Sequence, residues 1–247
     1  MSAAHIAAVV FAGSFVAAMV GMLLRKILPD NHLDSDAKDV MKLVMGLIGT
    51  MAALILGLLI ASGNSSYNAQ RSELQTLAAN AVILDRLLQA YGPEAAGARE
   101  SFREIITTAH DLIWTPDGLR PPNFDAANKL AQQIQNLAPK SEQARSLQSR
   151  ATQLTESMLH MRVLMTEQQG DAIPTLFLEA LVYWICALFL GFGLLARFNP
   201  TIMAAFIVGA ISVAAAIFLI LELNEPYRGY LQISDAPLRH ALERIGK

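Results

Sequence analysis

Four long stretches of this chain carry no Asp, Glu, Lys, Arg or His. Ile6–Leu24 and Leu43–Ala61 run for 19 residues each, Thr201–Leu221 for 21, and Ala180–Ala196 for 17, the last extended upstream by Pro174–Leu178 with Glu179 between. At about 1.5 Å per residue, 19 helical residues reach roughly 29 Å, close to the ~30 Å hydrocarbon thickness of a bilayer. A helix satisfies its own backbone groups in lipid, so each stretch reads as a membrane-spanning helix. Four of them leave little room for the alternative of buried helices in a large water-soluble core. Composition agrees: 53% of residues are hydrophobic and only 16% charged, against roughly 25% charged in an ordinary water-soluble domain.

The first stretch reads as a permanent span rather than a cleaved signal. Met1–His5 holds no Lys or Arg, the first basic residues are Arg25 and Lys26, and the apolar run exceeds the about 7–15 residues of a signal core. The chain is therefore expected to be an all-α membrane protein, four transmembrane helices arranged as two hairpins. Residues 1–61 form the first hairpin, with spans about 6–24 and 43–61. Residues 175–221 form the second, with spans about 176–196 and 201–221, and 222–247 form a C-terminal tail. The turn Arg197-Phe198-Asn199-Pro200 gives the last span an N-cap asparagine followed by a proline suited to the first helical position.

Residues 62–174 are polar and predict an extramembrane helical bundle inserted between spans two and three. Ser66–Tyr91 places Leu74, Leu77, Ala81, Leu84 and Leu88 on one face, at helical spacing. Glu94–Trp114 follows with Phe102, Ile105, Ile106, Ala109, Leu112 and Ile113, then a Pro- and Gly-rich break over 116–122. Asp125–Leu137 predicts a shorter helix. Ser141–Gln169 carries a near-heptad stripe of Leu147, Ala151, Leu154, Met158, Met161 and Met165, and Gly170 and Pro174 end it. The outer helices of the bundle are expected to continue spans two and three. With 12 acids and 10 bases, the bundle's charges of both signs describe a solvated surface. Five basic residues near the short loops against four on the other side do not separate the two orientations. Arg25 and Lys26, directly after a first span with nothing basic before it, favour the short loops inside.

Span two repeats small residues every fourth position: Gly49, Ala53, Gly57 and Ala61. Such a stripe lets helices approach closely in lipid. Packing against span one, with its own Gly13, Ala17 and Gly21, is one expectation. The other is that span two also lines a central pathway in a homo-oligomer, with Met51, Ile55, Leu58 and Ser62 as the pore-facing set and a hydrophobic constriction as gate. The absence of ionisable residues from the middle of the spans disfavours an ion-coupled transporter, whose proton or ion relays sit at membrane depth. At the end of the last span, Glu222, Asn224, Glu225, Pro226 and Tyr227 form a candidate membrane-mouth motif. It reads either as helix termination with Tyr227, Arg228 and Tyr230 as interfacial anchors, or as a charged ring at a pore mouth.

Other chemistry finds little purchase. Asp30, Asp34, Asp36 and Asp39 do not follow an EF-hand spacing, and acids there suit the start of a helix. The five histidines are scattered without metal-ligand spacing. Cys186 lies among apolar neighbours, with no second cysteine to pair with. No nucleophile, phosphate loop or dinucleotide motif is present, so no catalytic residue, cofactor or metal is expected. A net charge of −2 gives no reason to expect nucleic acid.

Gly21–Gln70, Leu84-Asp85-Arg86 with Tyr91-Gly92-Pro93-Glu94, Ile173-Pro174 and Leu219–Ser234 together resemble the bestrophin-like family of bacterial four-span membrane proteins. The resemblance covers nearly the whole chain and implies a bacterial inner-membrane, multi-pass protein. It also implies a relation to bestrophins, pentameric anion channels with two span pairs around a helical cytosolic region. Leu43–Ala61 contains no aromatic, unlike the bestrophin pore neck, and only Glu222 and Glu225 occupy the place of the bestrophin acidic cluster, so no bestrophin functional residue carries over. The leading expectation is an oligomeric passive ion channel, selective for anions, lined by span two. The alternative is a non-conducting membrane sensor or scaffold whose helical bundle binds a protein partner or ligand.

Overall fold

The structure is a computed structural model that describes residues 2–29, 34–114, 120–168 and 175–245. The described residues are helical, with no strand among them. Eight α-helices follow in order: α1 (Ala3–Ile27), α2 (Ser35–Tyr91), α3 (Ala96–Ile113), α4 (Phe124–Gln135), α5 (Glu142–Glu167), α6 (Thr175–Leu195), α7 (Pro200–Leu223) and α8 (Ala236–Arg244). Four of them, α1, α2, α6 and α7, are long and apolar enough to cross a membrane. The chain divides into two compact units, one of residues 1–66 and 171–224, the other of residues 67–170 and 225–247.

Local chemistry sets most helix ends. The Ser2 side chain accepts from the His5 N–H to start α1, and Arg25 and Lys26 stand in its last turn, where cations favour the negative end of the helix dipole. Asp34 Oδ1 accepts from the Ala37 N–H at 2.8 Å, so this acid of the first loop is an N-cap. Asp30 and His32 lie outside the described residues. Asn199 accepts from the Thr201 N–H with Pro200 behind it, as the turn sequence predicts. Asn123 and Ser141 cap α4 and α5 in the same way. Residues 66–91, read as the first helix of the bundle and expected to continue span two, run on from the apolar part of α2 without a break to Tyr91. Gly92, at φ 116°, then turns the chain into a short 3₁₀ turn over Pro93–Ala95, a backbone conformation that only glycine adopts readily. The expected breaks at 116–119 and at Gly170 and Pro174 lie outside the described residues.

In the unit of residues 1–66 and 171–224, α1 packs on α6 and α7. Its inner face is Ala7, Val10, Ser14, Ala18 and Gly21. The helices meet backbone to backbone: a Cβ on Gly21 would collide with the Leu190 carbonyl oxygen, and one on Gly193 with the Ala18 carbonyl oxygen. Glycine is required at both places for this approach, the geometry that gives van der Waals packing its strength in lipid. Two hydroxyls within these helices are satisfied locally, Ser14 on the Val10 carbonyl and Ser212 on the Val208 carbonyl, as a hydrocarbon environment would demand. Helix α2 joins this core through Met45, Ala52 and Leu59, all buried. Met45 sits against Gly191, and Gly63 against Leu223.

The second unit is built around the faces that periodicity predicts. Leu74, Leu77, Ala81, Leu84 and Leu88 of α2 are all buried, with Phe102, Ile106 and Ile113 of α3, Leu130 and Ile134 of α4, and Ala151, Met158 and Met165 of α5. The side-chain amide of Gln148 donates to the carbonyls of Ile134 and Leu137 at 2.8 and 2.9 Å, satisfying acceptors that a helix C-terminus leaves open. Residues of the C-terminal tail join this unit: Ile233, Leu238, Ala241 and Ile245 are part of its core, and Trp114 Nε1 donates to the Ile233 carbonyl at 2.8 Å. Gly193→Val should destabilise the protein by about 1–3 kcal/mol or more, because the obstacle is backbone that cannot rotate away. Thermal unfolding in detergent checks this, with Gly97→Val, an exposed α3 position where a Cβ would meet nothing within 4 Å, as the control expected to change little.

Candidate functional site: the free face of the second span and the polar seam of the bundle

The apolar part of α2 has one covered face and one open face. Met45, Ala52 and Leu59, a heptad apart, are covered. On a helical wheel Gly49, Ala53, Gly57 and Ala61 sweep from the edge of that face to the opposite side. Ala53, Gly57 and Ala61 are exposed and Gly49 half-buried. A Cβ on Gly46, Gly49 or Gly57 would meet nothing within 4 Å. This corrects the expectation that the stripe packs on span one: the small residues of α1 are engaged by α6, through Gly21 and, next to Cys186, Gly13. Two helices with equally spaced small residues do not name each other as partners; the neighbouring side chains decide. The predicted pore-facing residues lie on the other flank of the open side, Met51 and Leu58 exposed (Leu58 at 59%) and Ile55 and Ser62 half-buried. Of the four candidate spans, α2 is the least covered by its own chain: 17% of its most apolar 18-residue window is buried, against 22–28% for the others.

The candidate mouth motif divides between the units. Glu222 and Asn224 end α7 in the first, Glu222 buried and Asn224 half-buried. Glu225, exposed, and Pro226 and Tyr227, both buried, belong to the second. The Pro226 carbonyl accepts from the Ile233 N–H at 2.8 Å, and the Glu225 carbonyl from the Arg228 N–H at 3.0 Å. Gly229, at φ 80°, completes the turn. Tyr227 is only 1% exposed and belongs to the bundle core, so its ring is not an interfacial anchor.

Two polar features inside the bundle escaped the sequence reading. Asp85, 1% exposed, receives Arg99 in a bidentate pair, Nε to Oδ1 at 2.6 Å and Nη2 to Oδ2 at 2.9 Å; the carboxylate holds the Arg99 guanidinium above its usual range. The second feature gathers Glu73, Arg162 and Tyr227. Arg162 is 8% exposed and donates from Nη2 to the Arg120 carbonyl at 3.0 Å. Burial draws its guanidinium below the usual range, opposed by the field of Tyr227. Burial pushes the Tyr227 phenol upward, with Arg162 opposing and Glu73 adding to the rise. Burial also raises the Glu73 carboxyl, against a hydrogen bond from Gln168. Among the described residues, Glu73 Oε2, Arg162 Nη1 and the Tyr227 hydroxyl are buried without hydrogen-bond partners. One signal was available for both features. Asp85 follows Ala81 by four residues and Arg162 follows Met158 by four, so each ionisable group stands in a core register.

Breaking a buried ion pair by removing one partner costs about 3–5 kcal/mol. Arg99→Leu should therefore cost about that much in chemical denaturation, and Asp85→Asn with Arg99→Leu together should recover part of it. Glu73 has its pKa raised on folding, so the folded state holds more protons than the unfolded between the two values, and stability falls as pH rises through them. Glu73→Gln should remove that fall. Its melting temperature should exceed that of the wild type at pH 7 and lose the advantage at pH 4, a small effect at this partly exposed site.

A family model described as Bestrophin-like domain matches residues 12–238 of the chain. No curated protein and no solved structure matches it.

Proposed function

The chain belongs to the Bestrophin-like family and is a membrane protein, and from that premise we propose that it is an oligomeric, multi-pass ion channel of the bacterial inner membrane. Four spans paired as two hairpins carry the helical bundle between spans two and three, and copies of the chain associate around span two, which lines a passive pathway for small anions. The observation that carries this reading is the state of α2. It is the span its own chain covers least, its small residues face open space, and residues 43–61 carry no charge. An uncharged face with Met51 and Leu58 exposed suits a hydrophobic constriction, which gates by dewetting. Gly49, Ala53, Gly57 and Ala61 on the adjoining flank suit close helix contact with a neighbouring copy. No catalytic group, cofactor or metal enters this reading.

Liposomes containing the purified protein test it, with chloride flux compared with potassium flux. Chloride-selective flux is expected from the wild type, with Leu58→Asp removing or altering it and Gly57→Leu weakening assembly. Assembly and flux untouched by both substitutions would overturn the lining by span two. The competing sensor-or-scaffold reading predicts silence in the flux measurement and a stoichiometric protein partner recovered with the chain from native membranes.

A further inference from the structure

Within the bundle, α2, α3, α4 and α5 line a cleft of about 270 Å³ that opens to solvent on one side, just below the roughly 300–1,000 Å³ of small-molecule pockets. Its walls are mostly apolar, Leu77, Phe102, Ile106, Leu130 and Met158 among them, and Arg162 lines it. Glu104 and Lys129 also border it, exposed and of opposite sign, so neither sets a net charge. Arg162 does. It is more than nine-tenths buried, one guanidinium nitrogen is used by the Arg120 carbonyl, and Nη1 has no partner among the described residues. No carboxylate among the described residues pairs with it. The Tyr227 hydroxyl in its field is held neutral by burial and supplies no counter-charge. A buried cation without an anion is strongly unfavourable, and a guanidinium presents the donors that a carboxylate matches in pairs.

We propose that this cavity binds a single-chain amphiphile with a carboxylate head, the apolar chain lying along the Leu77–Phe102–Met158 wall and the head on Arg162. Its size selects a medium-length chain, and the single buried cation selects a monoanion. The site is independent of whether the chain conducts ions, so its test and the flux measurement fail separately.

The experiment is equilibrium dialysis of radiolabelled decanoate against the delipidated full-length protein in nanodiscs, with empty nanodiscs subtracted and decanol, acetate and inorganic phosphate as comparison solutes. One saturable decanoate site per chain is expected, preferred over decanol by roughly tenfold or more, the worth of one charge-assisted hydrogen bond. Acetate and phosphate should not compete at equal concentration. Arg162→Met keeps the volume while removing the charge, and should abolish the preference for decanoate over decanol. Ala109→Phe, from a residue of the cavity wall, should fill the space and abolish saturable binding of both. Retained preference in Arg162→Met, equal binding of decanol by the wild type, competition by acetate or phosphate, or no saturable site in the wild type would each overturn the proposal. Should Arg162→Met not fold, Ala109→Phe and the four-solute comparison on the wild type still decide it.

Discussion

Everything in the apolar unit depends on how closely α1 and α6 approach. Between apolar helices in lipid there is no hydrophobic gain from association, because the surrounding chains are as apolar as the side chains. Contact area and shape must supply the attraction, and the largest contact comes where no side chain stands between two backbones. Gly21 against Leu190 and Gly193 against Ala18 provide two such places. With α1 seated there, Ser14 and Ala18 are buried, α7 adds Phe206, Ala210 and Ile217 to the same core, and α2 contributes one narrow stripe through Met45, Ala52 and Leu59. The rest of α2 is left over, and the functional reading grows from that remainder.

The helices themselves were legible in the sequence. Charge-free runs of 17–21 residues identify the four apolar helices by length alone, and the 3-4 spacing of leucines identifies the buried face of the distal half of α2. Asn199-Pro200 and Asp34 announce their helix starts because capping is decided within three residues. What the sequence did not disclose is decided farther away. Gly49 and Gly57 look as suited to close packing as Gly21 and Gly193; only the surrounding surfaces select the second pair. The short α8 went unread because its nine residues are too few for periodicity to stand out, and its order rests on Leu238 and Ala241 meeting a core already formed elsewhere. Tyr227 reads as an interfacial anchor from its place after a span, yet the turn at Pro226 to Gly229 carries it inward.

The bundle shows a second kind of constraint. Its core is apolar where the repeats predict, but Asp85 and Arg162 occupy core registers. Burying an ionised group is tolerated when its partner is buried with it, and Asp85 meets that condition through Arg99. Arg162 meets it only halfway, with one carbonyl and an unused nitrogen beside a cavity. The contrast between the two, in one small core, makes Arg162 the residue whose environment is incomplete.

The central claim is that the open face of α2 meets a second copy of the chain. Cysteine cross-linking in native membranes measures it directly, in a Cys186→Ser background with single cysteines placed along α2. The account predicts covalent dimers from Gly57→Cys and Leu58→Cys and none from Leu59→Cys, whose side chain is turned into the chain's own core. Absence of dimers from every position on the open face, with the protein correctly inserted, would contradict it and leave that face to lipid alone.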